Sequence, residues 1–153
     1  TGIAAISSSI IKIPSPTTST YGIMHNKFVV IDAYHSNPNK AIVWTGATNW
    51  QDGQINRDPN NVVIIQDQSL AKAYTMEFNE MWGDSGPIPS VTNSRFGPTK
   101  TDNTPHEFNI GGKRVECYFS PSDNVNNKLT NTINTAGSLP VQLKLKSLFD
   151  GLG

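Results

Sequence analysis

The chain has 153 residues, enough for one hydrophobic core and too few for two independent domains of ordinary size. Lys plus Arg equals Asp plus Glu at 12 each, so the net charge names no partner, and no basic stripe of a dedicated nucleic-acid binder is visible. No apolar run approaches the roughly 20 residues of a membrane span, and the first residues lack the basic start and cleavage pattern of a signal peptide.

The opening Ile10-Ile11-Lys12-Ile13 is expected to be a strand ended by Pro14 and Pro16, with a polar loop over Ser15 to Thr20. Ile23 through Asp32 alternates and then becomes continuously apolar, as a strand buried on both faces does. Ser36-Asn37-Pro38-Asn39 marks a turn, and Ala41 through Thr45 is a second strand, so the two form the simplest pairing, a hairpin. Asn61 through Gln66 is a third strand.

Asp67 offers an N-cap, Gly83 a stop, and between them Leu70, Tyr74, Phe78 and Met81 form one helical stripe that predicts a core helix. Residues 84–107 have no period and many Pro, Gly, Ser, Thr and Asn, which predicts a long surface connection between two units. Phe108 to Phe119, interrupted by Gly111-Gly112, fits a hairpin with a two-residue turn, and Val115, Cys117 and Phe119 share a face. Ser120 or Ser122 can cap a helix with the stripe Val125, Leu129, Ile133 and Ala136, and Val141 through Leu145 alternates as a last strand.

Lys113-Arg114 and Lys144-Leu145-Lys146 are expected to be solvated strand faces. A single Cys117 excludes an internal disulfide and reads as a buried structural thiol. His35 and His106 are expected in solvent, Trp44 and Trp82 in the core, and Trp50 at a pocket mouth. Abundant Asn, Ser and Thr with 16% charged residues point to an exported, secreted or periplasmic protein of bacterial flavour.

The chemistry concentrates in His25-Asn26-Lys27-Phe28-Val29-Val30-Ile31-Asp32, an H-x-K-x4-D pattern that chance supplies about 0.01 times in a chain of this composition. On a strand, residues i and i+2 point to the same side, so His25 and Lys27 share a face while Asp32 has the opposite parity. An imidazole nucleophile beside a fixed cation is what a phosphodiester requires, because the non-bridging oxygens gain negative charge in the transition state. Gly46 permits a tight turn after the second strand, and Asn49 presents an amide donor.

This motif, with Thr45-Gly46-Ala47-Thr48-Asn49-Trp50 after it, resembles the catalytic motif of the phospholipase D superfamily. The resemblance implies an α/β fold, a mixed sheet flanked by helices. It also implies phosphodiester hydrolysis of phospholipid or nucleic acid through a phosphohistidine. His25, Lys27, Asp32 and Asn49 are then the catalytic set, with Asp32 structural or orienting, and Lys27, Gly46 and Asn49 bind the phosphate. The family needs no metal or other cofactor, and the sequence offers no His/Cys ligand cluster to imply one.

Two positions depart from the family. Gly46-Ala47 stands where Gly-Ser is usual, and Asn60 stands where a Glu commonly holds the imidazole, so Asn60 becomes the orienting residue. Only one copy of the motif is present. The division expected is a catalytic half over 1–83, a connection over 84–107 and the start of a second, truncated repeat over 108–153, so the chain reads as a fragment of a larger protein. The second half-site then comes from a homodimer partner or a missing C-terminal repeat, and an isolated monomer is expected to be inactive. The competing reading is a non-catalytic phosphate-binding or scaffolding module of an exported protein.

Overall fold

Apolar runs on either side of the Ser36-Asn37-Pro38-Asn39 turn set the first pairing. In the computed structural model, which describes residue 13 and residues 24–136, β1 (Phe28–Ile31) and β2 (Ile42–Gly46) form an antiparallel hairpin with Phe28 opposite Thr45 and Val30 opposite Val43. A short 3-10 turn, Pro38–Lys40, closes it, started by Asn37, whose side chain accepts from the Asn39 N–H. After a five-residue helix α1 (Asp52–Asn56), β3 (Val62–Ile65) returns antiparallel along β2, giving the order β1-β2-β3.

The next helix starts and stops where its caps dictate. In α2 (Gln68–Trp82), the Asp67 carboxylate accepts from the Leu70 N–H at 2.8 Å, and Gly83 ends the helix at φ 79°. Residues 84–106 contain one further 3-10 turn, Gly97–Thr99. The hairpin of β4 (Glu107–Ile110) and β5 (Lys113–Glu116) follows, with Gly111 and Gly112 at φ 56° and 74°, the left-handed pair a two-residue turn needs. The last described element is α3 (Val125–Thr135).

The core forms where α2 lies on the sheet. Ala33, Ala41, Val43, Leu70, Ala71, Ala73 and Phe108 are buried together, and Val30, Ile65, Tyr74, Ile110, Val115 and Cys117 pack around them. The second hairpin therefore shares its core with the first three strands. Mixed α/β content in small sheets with helices agrees with the expected fold class at that level.

Several expectations are corrected. The first strand is four residues long rather than ten, and it is not buried on both faces: Ile31 is 47% and, across the sheet, Ile64 is 67% exposed. On α2 the buried stripe runs Leu70, Ala73, Glu77 and Met81, and Phe78 lies outside it at 41% exposure, stacked on Trp82. Leu70→Ala is therefore expected to cost about 2–5 kcal/mol and Phe78→Ala distinctly less, checked by urea unfolding midpoints. The helix after Ser122 has Asn124 at its N-cap without a side-chain capping bond, and no residue of α3 is buried. The connection over 84–107 is not wholly superficial, because Phe96, Lys100 and Thr104 are buried. The strands expected at Ile10–Ile13, apart from Ile13 itself, and at Val141–Leu145 lie outside the described residues, as does Lys144-Leu145-Lys146.

Candidate active site

Strand register decides which side chains share a face. Extending the β1–β2 pairing by one position sets Lys27 opposite Gly46, on the face away from α2 with Ile42 and Trp44. Asn26, Phe28 and Val30 belong to the other face: Phe28 packs edge-on against Tyr74 of α2 at 5.2 Å, and Val30 joins the core. Alternation carried back two further positions assigns His25 to the face of Lys27. Both residues precede β1, however, in backbone without ladder bonds. Thr45 ties this segment to β2 through Oγ1, which donates to the Lys27 carbonyl at 3.1 Å.

His25 is exposed, and the Lys27 ammonium donates to the His25 carbonyl at 2.8 Å. Partial burial lowers the Lys27 pKa from its ordinary 10.5. Gly46 is required by close approach: a Cβ there would overlap the Asn61 carbonyl oxygen and lie 2.9 Å from the Val62 Cα. The Ala47 N–H donates to the same carbonyl at 3.1 Å.

Beyond this turn, Gln54 of α1 organises the polar side chains. Its Oε1 accepts from the Asn49 N–H at 2.9 Å and from the Asn49 side-chain amide, and its carbonyl accepts from the Asn60 amide at 3.1 Å. The structure thus brings His25 to Lys27, and Asn49 to Asn60 through Gln54. Among the described residues, no hydrogen bond joins Asn60 to His25, and the Asn60 amide is held by Gln54 instead. Asn49 Nδ2 carries two hydrogens, one committed to Gln54. Asp32 follows β1 at φ 53°, exposed, and its carbonyl accepts from the His35 N–H at 3.0 Å. Trp50, 45% exposed, meets Trp44 with ring centroids 5.0 Å apart beside the Asn49 turn.

Three features were missed in the sequence. Gln54 lies on a helix too short to show a period. Glu77, which polarity assigns to solvent, is 1% exposed and paired with Lys100 at 2.6 Å. His106 is half-buried rather than solvated: Nδ1 lies 3.0 Å from the Cys117 carbonyl, Nε2 lies 3.0 Å from Asp102, and the ring stacks on Tyr118. Asp123 lies 3.8 Å from Nδ1, so Asp102, His106 and Asp123 form a cluster that the sequence did not announce. The imidazole stands between the two carboxylates, each nearest a different ring nitrogen. Asp123 is further committed to the Phe119 N–H at 2.7 Å and the Ser122 hydroxyl at 2.6 Å.

Lys113 and Arg114 are solvent-facing as expected, and Arg114 pairs with Glu107 and Glu116. Burial pushes the Cys117 thiol from its ordinary 9.0 up to about 11, which agrees with a structural role. The unfolded thiol loses its proton first, so stability is fully present below about pH 9 and falls as pH rises towards about 11. Cys117→Ala should remove that part of the alkaline decline, read as the urea midpoint against pH.

Residues 4–82 match the family described as cardiolipin synthase, PLD-like domain. The match covers more than half of the chain, and the chain belongs to this family of the phospholipase D superfamily. It is 29% identical to the mitochondrial cardiolipin hydrolase of Canis lupus familiaris over 99 residues, which is 63% of the chain and 35% of the relative. Against the Xenopus tropicalis protein of the same name it is 38% identical over 68 residues (43% and 28%), and against that of Homo sapiens 30% over 100 residues (63% and 35%). The chain thus spans about a third of the length of the curated relatives it matches. No solved structure gives a significant match. These relatives overturn the expectation of a secreted or periplasmic bacterial-like protein, since all are animal proteins named as mitochondrial. Richness in Asn, Ser and Thr is a surface property that does not specify a compartment.

Proposed function

We propose that the chain carries one half of a phospholipase D-like active site that hydrolyses phosphodiesters of phospholipids, with His25 as nucleophile. The observation that supports this reading is the placement of the H-x-K segment at the start of β1 beside the Gly46 turn, with the Lys27 ammonium on the His25 carbonyl. Neutral His25 attacks phosphorus and forms a P–N bond. The Lys27 ammonium and the Asn49 amide meet the charge that gathers on the non-bridging oxygens. The P–O bond to the leaving alcohol breaks as a second histidine donates a proton to it. Water, deprotonated by that histidine, then cleaves the P–N bond and restores His25.

The second histidine comes from another copy across a twofold axis or from a further repeat, of which residues 108–153 are the beginning. Residues 1–83 are the catalytic half, and 84–107 connect the two. Phospholipid is favoured over nucleic acid because the matched family and relatives are named for cardiolipin and the chain has no net basic charge. The non-catalytic alternative, a phosphate-binding module, is favoured by one observation, the commitment of Asn60 to Gln54 where the family has a carboxylate for the imidazole. Among the described residues, no helix is long and apolar enough to cross a membrane.

The test is phosphodiester cleavage by the oligomeric protein on cardiolipin-containing vesicles and, in parallel, on a single-stranded oligonucleotide, each with and without EDTA. Headgroup cleavage that EDTA leaves intact is expected. Cleavage of the oligonucleotide alone would reassign the substrate, and binding without cleavage would favour the phosphate-binding module.

A further inference from the structure

His25 and Lys27 sit on backbone without ladder bonds, because the ladder begins at Phe28, and the Thr45 hydroxyl on the Lys27 carbonyl ties it to β2. Between them, Asn26 turns inward, and its amide Nδ2 approaches Glu77 Oε1 at 3.5 Å. Among the described residues this is the one side-chain hydrogen bond made by the residue between nucleophile and cation. Glu77 is itself fixed. The Lys100 ammonium binds the same Oε1 at 2.6 Å, donates to the Ser120 carbonyl at 2.9 Å, and lies 5.9 Å from the centre of the Phe119 ring. The Glu77 and Lys100 side chains are 1% and 3% exposed.

A buried ion pair costs much of its attraction in desolvation, and a well-packed apolar pair serves stability as well. Placement of Asn26 is a role that an apolar pair could not take, because only a hydrogen-bond acceptor can face the amide. We infer that Glu77 and Lys100 are positioning residues that, through Asn26, fix the backbone presenting His25 and Lys27 to the phosphodiester. The inference rests on the reading of His25 as nucleophile. Lys100 lies beyond the residues 4–82 that match the family, so the connecting segment supplies part of the support for the site.

The variants are Asn26→Ala, which leaves the ion pair in place, and Glu77→Leu with Lys100→Met, which replaces it by apolar side chains of similar size. Thermal unfolding is followed for both. Turnover of cardiolipin vesicles and the His25 ring signals in a 1H–13C correlation spectrum are compared with wild type, with exposed His35 as internal reference. Both variants are expected to stay folded, shift the His25 signals but not those of His35, and lower kcat by about 10- to 100-fold with KM little changed. If the double variant does not fold, Asn26→Ala decides alone. His25 signals and kcat that match wild type in Asn26→Ala would overturn the inference. Where the assembled wild-type protein shows no turnover, the proposed function fails separately, and the His25 signals alone decide the positioning: a shift supports it and no shift refutes it.

Discussion

Lys100→Met is expected to lower folding stability by about 3–5 kcal/mol, an effect unusual for a residue in an irregular segment. Its ammonium is the cation that neutralises Glu77, and without it a carboxylate remains inside the protein with the Asn26 amide as its only side-chain donor among the described residues. The deficit should depend on pH. Burial raises the Glu77 carboxyl above its ordinary 4.5, and Lys100 opposes that rise. Removing Lys100 leaves burial unopposed and raises it further. A group whose folded pKa lies above its unfolded value contributes its stability in full below the unfolded value, and loses it as pH rises through the folded one. The variant should therefore recover part of its stability near about pH 5 relative to about pH 7, as Glu77 gains a proton. Urea unfolding at the two pH values checks this. Equal deficits at both would mean that Glu77 does not carry the cost.

The buried Glu77 also marks where sequence reasoning stops. Local chemistry was legible: Asp67 and Gly83 bound α2, Gly111-Gly112 turns the second hairpin, and the apolar runs pair as a hairpin. These features depend on residues close in the chain, where dihedral preference and hydrogen bonding act directly. The H-x-K spacing assigns His25 and Lys27 to one face by alternation, although both precede the strand, which begins at Phe28. Contacts between distant segments were not legible. Glu77 took the place expected of Phe78 on the α2 stripe because Lys100, 23 positions away, supplies its counter-charge. His106 left solvent because Asp102 and the Cys117 carbonyl converge on its two nitrogens. Asn60 looked like a partner for His25 by its position before β3, yet Gln54 of the short helix α1 takes its amide. Polarity names residues able to hydrogen-bond, and only the tertiary arrangement says with what.

The larger effect on chemistry is expected at the motif. His25→Ala removes the proposed nucleophile from an exposed position that carries no core packing, so the fold should persist while turnover is lost. Lys27→Ala keeps the nucleophile and removes the cation facing the non-bridging oxygens, with an expected loss of about 10²-fold or more in rate. His35→Ala is expected to change neither, because the His35 ring accepts a local bond from the Asn37 N–H at 2.9 Å, while the bond from Gln68 goes to its backbone carbonyl, which the substitution keeps. His106→Ala should leave the intermediate chemistry intact and act on stability, since its ring ties Asp102 to the Cys117 carbonyl. The measurement that bears most directly on the account is rapid quenching of the assembled, active protein during turnover, with detection of acid-labile phosphate on the enzyme. The account predicts phosphohistidine in the wild type, His35→Ala and His106→Ala proteins and none in His25→Ala. Phosphohistidine formed equally well in His25→Ala would contradict it.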